Sequence, residues 1–181
     1  MNKKIRFITE TAIMLALLVT LQALTKPMGQ LVTGSCVNAV LAVSALVGGL
    51  ASGLTVALIS PILAFLLGIA PQILTVPAIM AGNSVFVVLL YLLADRNGKN
   101  LVKQAIAWAA AAAAKFVTLY VIVVKIICGV MAPSLLSAGT LNEPMLKALP
   151  ATFSWPQLFT ALIGGGIALL IVPVLRKALR K

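Results

Sequence analysis

The chain has 181 residues, 62% of them hydrophobic and 9% charged, with a net charge of +11 and no histidine. That composition belongs to a polypeptide whose solvent is mostly lipid; at roughly 20 residues per helical span it accommodates about six spans, little loop and no separate soluble domain. Only three acidic residues (Glu10, Asp95, Glu143) and two distant cysteines (Cys36, Cys128) are present, which argues against metal binding, a bound cofactor and two-carboxylate catalysis, and no GxxxxGK[ST] motif exists to fuel the chain with ATP.

In chain order the apolar stretches run over residues 7–25, 36–51, 53–70, 73–94, 103–128 and 156–175. All are expected to be helices, because backbone in lipid must satisfy its own hydrogen bonds and runs of this length are too long for barrel strands. The expected fold is therefore an all-α membrane protein, one compact bundle of six transmembrane helices over residues 1–181. Gly and Pro soften two boundaries, at GGLASG (48–53) and GIAPQ (68–72). The basic start MNKKIR resembles a signal sequence, but no small-residue cleavage site closes the first run cleanly and further spans follow.

Lysines and arginines set the expected orientation. Lys3, Lys4 and Arg6 precede the first span, Arg96, Lys99 and Lys103 surround the fourth connection, and Arg176, Lys177, Arg180 and Lys181 end the chain, whereas the opposite connections carry only Lys26 and Lys147. The positive-inside rule then places both termini in the cytoplasm. Topology and anionic headgroups account for the charge, so no nucleic-acid partner is expected. Two outer connections are long enough to act as lids: 26–35, KPMGQLVTGS, and 129–155, which includes the amphipathic NEPMLKALPATFSW and can equally be an interfacial segment anchored by Trp155.

The most informative residue is Lys115, at the centre of AIAWAAAAAAKFVTLYVIVV. An ammonium there costs about 2.5–3.5 kcal/mol on insertion scales, so an anion, a water-filled cavity or a buried partner is expected beside it. The alternative is a lysine capped by backbone carbonyls or held neutral. On a wheel of 100° per residue Trp108, Ala111, Lys115, Thr118, Ile122, Lys125 and Gly129 share one stripe, expected to face the bundle interior. Lys125, nearer the outer mouth, is also well placed to snorkel to the headgroups.

The remaining intramembrane polar residues are Gln22, Ser35, Asn38, Ser60, Gln72, Asn83, Ser84, Tyr91 and Gln157. Asn38 and Asn83 stand out, because an amide donates and accepts at once and can orient a polar ligand; ordinary interhelical hydrogen bonding is the competing role. Ser35, Asn38, Gln72 and Gln157 lie toward the outer ends of their spans and suggest a pocket opening outward. Small-residue pairs recur at Ala12-x-x-x-Ala16, Gly49-x-x-x-Gly53 and Gly164-x-x-x-Ala168, each permitting close helix approach.

The whole chain resembles the substrate-binding S components of energy-coupling factor (ECF) vitamin transporters. The resemblance is carried by the early AIMLA segment, by GSCVNAVLAVSALVGGLASGLTVALISPILAFLLGIAPQ followed by VPAIMAGN, and by the closing FSWPQLFTALIGGGIALLIVPVLRKAL. It implies a high-affinity binding protein of the bacterial plasma membrane that captures a micronutrient outside. Delivery would follow by toppling on a transmembrane coupling protein served by two cytoplasmic ATPases. The family's Ala-x-x-x-Ala contact with the coupling protein maps onto Ala12 and Ala16. Its ligands lie near the outer side between the last three spans, which by position and chemistry points to Asn38, Gln72, Asn83, Lys115, Thr118, Lys125 and Trp155. Motifs of the biotin and thiamine branches are not recognisable. Lys115 best matches a carboxylate-bearing vitamin such as pantothenate, with riboflavin or another neutral ring compound as the alternative.

Two other classes compete. A small ion-coupled secondary transporter commonly carries an intramembrane carboxylate or histidine, and neither is evident. A nontransporting membrane subunit would use Lys115 as an assembly contact. An enzyme is not expected, since no nucleophile and base constellation is present.

Overall fold

A computed structural model describes residues 2–69, 72–95 and 100–179. Arg96, Lys99, Arg180 and Lys181 of the basic clusters, and Ala70 and Pro71 of the GIAPQ turn, lie outside the described residues. The described chain is helical throughout, in the order α1 (Lys3–Thr25), α2 (Gln30–Val43), α3 (Gly49–Leu66), α4 (Val76–Leu93), α5 (Leu101–Leu119), α6 (Ala132–Ser137), α7 (Glu143–Thr152) and α8 (Trp155–Leu179). Two helices continue as π-helix, α2 through Ser44–Gly48 and α5 through Tyr120–Val130. Asparagine side chains cap three starts: Asn2 accepts from Lys4 N, Asn100 from Lys103 N and Asn142 from Met145 N.

Five helical stretches are long and apolar enough to cross a membrane, and one of these, Gln30–Leu66, has 37 residues. It is two spans rather than one. Gly49 adopts φ 87°, a conformation that costs glycine little, and a Cβ built on Gly53 would lie 3.0 Å from the Ala45 backbone. Residues eight apart in a straight helix are about 12 Å apart, so the chain folds back here. Six membrane-length helices result among the described residues, in agreement with the sequence reading.

Gln30–Ser35, expected in a loop, belong to the first turns of α2, and the turn is confined to Lys26–Gly29, with Gly29 at φ 88°. These polar residues imitate a loop in composition, yet the helix accommodates them, and Ser35 Oγ donates to Leu31 O at 2.6 Å. The long connection 129–155 folds into α6 and the amphipathic α7, and Leu149 of α7 and Phe153 just after it pack into a cluster with Leu119, Val123 and Ile127.

The helices run up and down. Thr11 near the start of α1 donates to Ser52 near the start of α3, and Arg176 near the end of α8 donates to Leu46 O beyond α2. Lys26, after α1, instead reaches Gly68 O, after α3. The beginning of α1 and the end of α8 thus share one end of the bundle, with the Lys26–Gly68 contact at the other.

Association in lipid rests on close packing more than on hydrophobic expulsion. The α2–α8 pair illustrates this: a Cβ on Gly164 would lie 2.4 Å from Ser35 O and 2.7 Å from Ala39 N, and one on Gly34 2.8 Å from Thr160 Cγ2. Trp108 of α5 packs over Gly165 and donates Nε1–H to Ala161 O. The Gly164-x-x-x-Ala168 pair is therefore an internal seam, whereas Ala12 and Ala16 lie exposed on the outer surface of α1 among Ile5, Ile8, Ile13 and Leu17.

Candidate functional site

The site starts from the cost of burying an ammonium. Lys115 is 3% exposed and stands about 21 Å along α5 from Leu101, well inside the bundle. Its Nζ donates to Asn38 Oδ1 of α2 at 2.6 Å and to Asn83 Oδ1 of α4 at 2.7 Å, with the Phe86 ring centroid 5.7 Å away. No carboxylate pairs with it among the described residues. The partners are two side-chain amides, not the backbone carbonyls of the alternative reading.

Asn38 extends the network into α8. Its Nδ2 donates to Gly34 O at 2.8 Å and to Thr160 Oγ1 at 3.3 Å, and Thr160 in turn donates to Gln157 O at 3.1 Å. Three helices are tied to Lys115 in this way. Asn83 differs: its Nδ2 is buried and has no hydrogen-bond partner among the described residues.

Above these groups lies a cavity of about 170 Å³. Lys115, Asn38 and Asn83 line it, α1 and α2 add Gln22 and Thr33, and Lys26, Gly29 and Ile69 place its upper wall at the end of the bundle opposite the chain ends. Gln22 Oε1 and Thr33 Oγ1 also lack partners among the described residues. Buried polar groups are nearly always paired, so three unsatisfied atoms around one cavity mark it as a place for polar solute. Among the described residues the wall contains two lysines and no acidic residue.

Of the site residues expected from the sequence, Lys115, Asn38 and Asn83 meet here, joined by Gln22 and Gln157 of the wider set of intramembrane polar residues, whereas Gln72, Thr118, Lys125 and Trp155 do not line this cavity. Thr118 Oγ1 donates to Ala114 O in its own helix. Lys125 is exposed, 5.5 Å over the Tyr120 ring. Trp155 is 62% exposed and stacks on Phe116, with ring centroids 5.5 Å apart. Gln72 borders a separate groove against Pro144, Met145 and Thr152 of α7.

The stripe from Trp108 to Gly129 fails beyond Leu119 for a geometric reason. A buried row on α5 and its extension runs Ala107, Ala111, Lys115, Leu119, Val123 and Ile127, one residue in four, with Ala112 beside it. In an α-helix such a row drifts by about 40° per step. The π-helical stretch, whose turns close five residues back as in Met131 N to Ile126 O, holds the row to one face and turns Lys125 outward.

Gln22, Lys26 and Thr33 were not among the expected site residues. A signal for the α2 wall exists in the sequence: Gln30, Thr33, Gly34, Val37 and Asn38 recur at three- and four-residue spacing and all line the cavity. Reading 26–35 as a loop hides that face.

Fold and cavity together define a polytopic helical membrane protein with a polar recess floored by a buried lysine. The chain belongs to the ECF transporter substrate-specific components, the family whose model matches residues 6–176. Searches of curated proteins and of solved structures find no match. Members of this family are transporter subunits that bind small-molecule substrates and work with a membrane coupling protein and ATPases.

Proposed function

We propose that this chain, acting as a single domain in the bacterial plasma membrane with both termini cytoplasmic, captures a small water-soluble micronutrient from outside in the cavity above Lys115. The observation that carries the reading is the buried Lys115 ammonium, held by two neutral amides and facing a recess without acidic residues. A ligand carboxylate completes that arrangement, since a desolvated cation gains most from an anion placed within hydrogen-bond reach. The recess is smaller than the roughly 300–1,000 Å³ of drug-sized pockets, which favours a compact ligand, with a pantothenate-like molecule as first candidate.

Delivery uses the exposed small-residue surface at Ala12 and Ala16 as the contact with the coupling protein, on which the whole domain topples while two cytoplasmic ATPases supply energy. Native mass spectrometry of freshly purified protein identifies a retained ligand by its mass. Co-isolation with a coupling protein and two ATPases supports this reading, whereas proton-driven uptake by the lone chain in ATP-free vesicles would replace it with secondary transport.

A further inference from the structure

The direction of the Asn83 amide is dictated by Lys115. An ammonium has three donors and no acceptor, so the Asn83 atom 2.7 Å from Nζ is its oxygen and the NH₂ group is turned elsewhere. The same logic holds for Asn38, but there Gly34 O and Thr160 Oγ1 take the NH₂ protons. Asn83 Nδ2 has no such outlet among the described residues, although the residue is only 1% exposed and lines the cavity. Beside it, Nζ spends two of its three donors on the two amides. A charged donor and a neutral donor therefore stand side by side with capacity left over. A carboxylate has two oxygens that accept separately and can engage both; a hydroxyl or a lone carbonyl offers one oxygen.

Across the cavity the chemistry changes. Gln22 Oε1 and Thr33 Oγ1 are unpaired among the described residues, and no partner pins the Gln22 amide as Lys115 pins Asn83. A ligand hydroxyl, which gives and accepts at once, satisfies either orientation of that amide together with the threonine.

We infer that the cavity reads its ligand at two ends, Lys115 with Asn83 taking one carboxylate and Gln22 with Thr33 taking a hydroxyl, so that the substrate class is a small hydroxy-carboxylate. This rests on the proposal that the cavity is the capture site. Asn83 is the specificity residue: it distinguishes a carboxylate from the neutral alcohol of the same shape, which leaves buried donors unpaired.

The test uses the full chain in lipid nanodiscs, with pantothenate as probe and panthenol, its neutral alcohol counterpart, as control, by calorimetric titration. Wild type is expected to bind pantothenate at least about ten-fold tighter than panthenol. Asn83→Asp should erase that preference, because the new carboxylate pairs with Lys115 and repels that of the ligand. Gln22→Met should weaken both compounds by a similar factor and leave their ratio intact. If Asn83→Asp does not fold, Asn83→Ala, which leaves Asn38 as acceptor for Lys115, should still cost pantothenate more than panthenol. Equal binding of the two compounds, no pantothenate binding up to about 1 mM, or a preference that survives the folded Asn83 variant overturns the inference. Because the assay needs no coupling protein or ATPase, failure of ATP-driven uptake removes the transport reading alone.

Discussion

Lys115 Nζ and Asn38 Oδ1 meet at 2.6 Å across 77 residues of sequence, joining α5 to α2 beneath the cavity. This contact makes the lysine tolerable in lipid, and it also leaves part of the ammonium available. Lys115→Gln, which keeps a donor and removes the charge, is expected to weaken carboxylate binding by roughly 2–5 kcal/mol, about 30-fold to several thousand-fold. Lys115→Met abandons both amide oxygens, so its thermal unfolding should be lower by the equivalent of about 1–3 kcal/mol per acceptor. Unchanged affinity in a folded Gln variant would reduce Lys115 to a structural post.

The α2–α8 seam gives a prediction with an internal control. Gly164→Ala places a methyl 2.4 Å from Ser35 O, and overpacking against backbone should cost about 1–3 kcal/mol. Two residues along α8, a Cβ on Gly166 would meet only Trp108 ring atoms at 3.5 Å or beyond, and alanine is the better helix former. Gly166→Ala should therefore be neutral or slightly stabilising. Thermal unfolding of both variants in one detergent decides, and equal melting temperatures would contradict the tight seam.

Coupling and capture should separate on α1. Ala12→Trp or Ala16→Trp adds a ring to the exposed surface, away from the cavity walls. ATP-driven uptake should be lost while ligand affinity stays within about two-fold, as expected when a bulky group blocks helix approach. Parallel loss of binding would mean that the pair supports the bundle instead.

Lys26 Nζ donates to Gly68 O at 2.6 Å and ties the turn after α1 to the end of α3, beside the cavity mouth. Lys26→Met should raise the ligand dissociation rate several-fold with a smaller change in association, because loosened rims act mainly on escape. Stopped-flow displacement reads both rates, and an unaltered dissociation rate would show that the tie is not a closure.

Cysteines introduced at Asn2 and Lys177 should label from the cytoplasm and one at Thr140 from outside. The structure puts the start of α1 and the end of α8 at one end of the bundle, and the basic residues choose the side. Outside labelling of Asn2→Cys would reverse the orientation.

Much of this protein is written in its composition. An apolar chain with polar punctuation can satisfy its backbone in lipid only as helices, so class, span number and the anomaly at Lys115 follow from sequence alone. Asn38 and Asn83 also stand out there as amides in apolar surroundings. What lay beyond the sequence was their meeting: each comes from a different helix, and only packing sets three side chains within hydrogen-bond reach. The wheel from Lys115 to Lys125 presumes uniform helical pitch, and the π-helical stretch after Leu119 breaks that presumption. Local sequence decides whether a segment is helical because backbone hydrogen bonds are local. Which polar atoms remain unpaired around a cavity is a property of all the helices at once, and so it is decided by the tertiary structure.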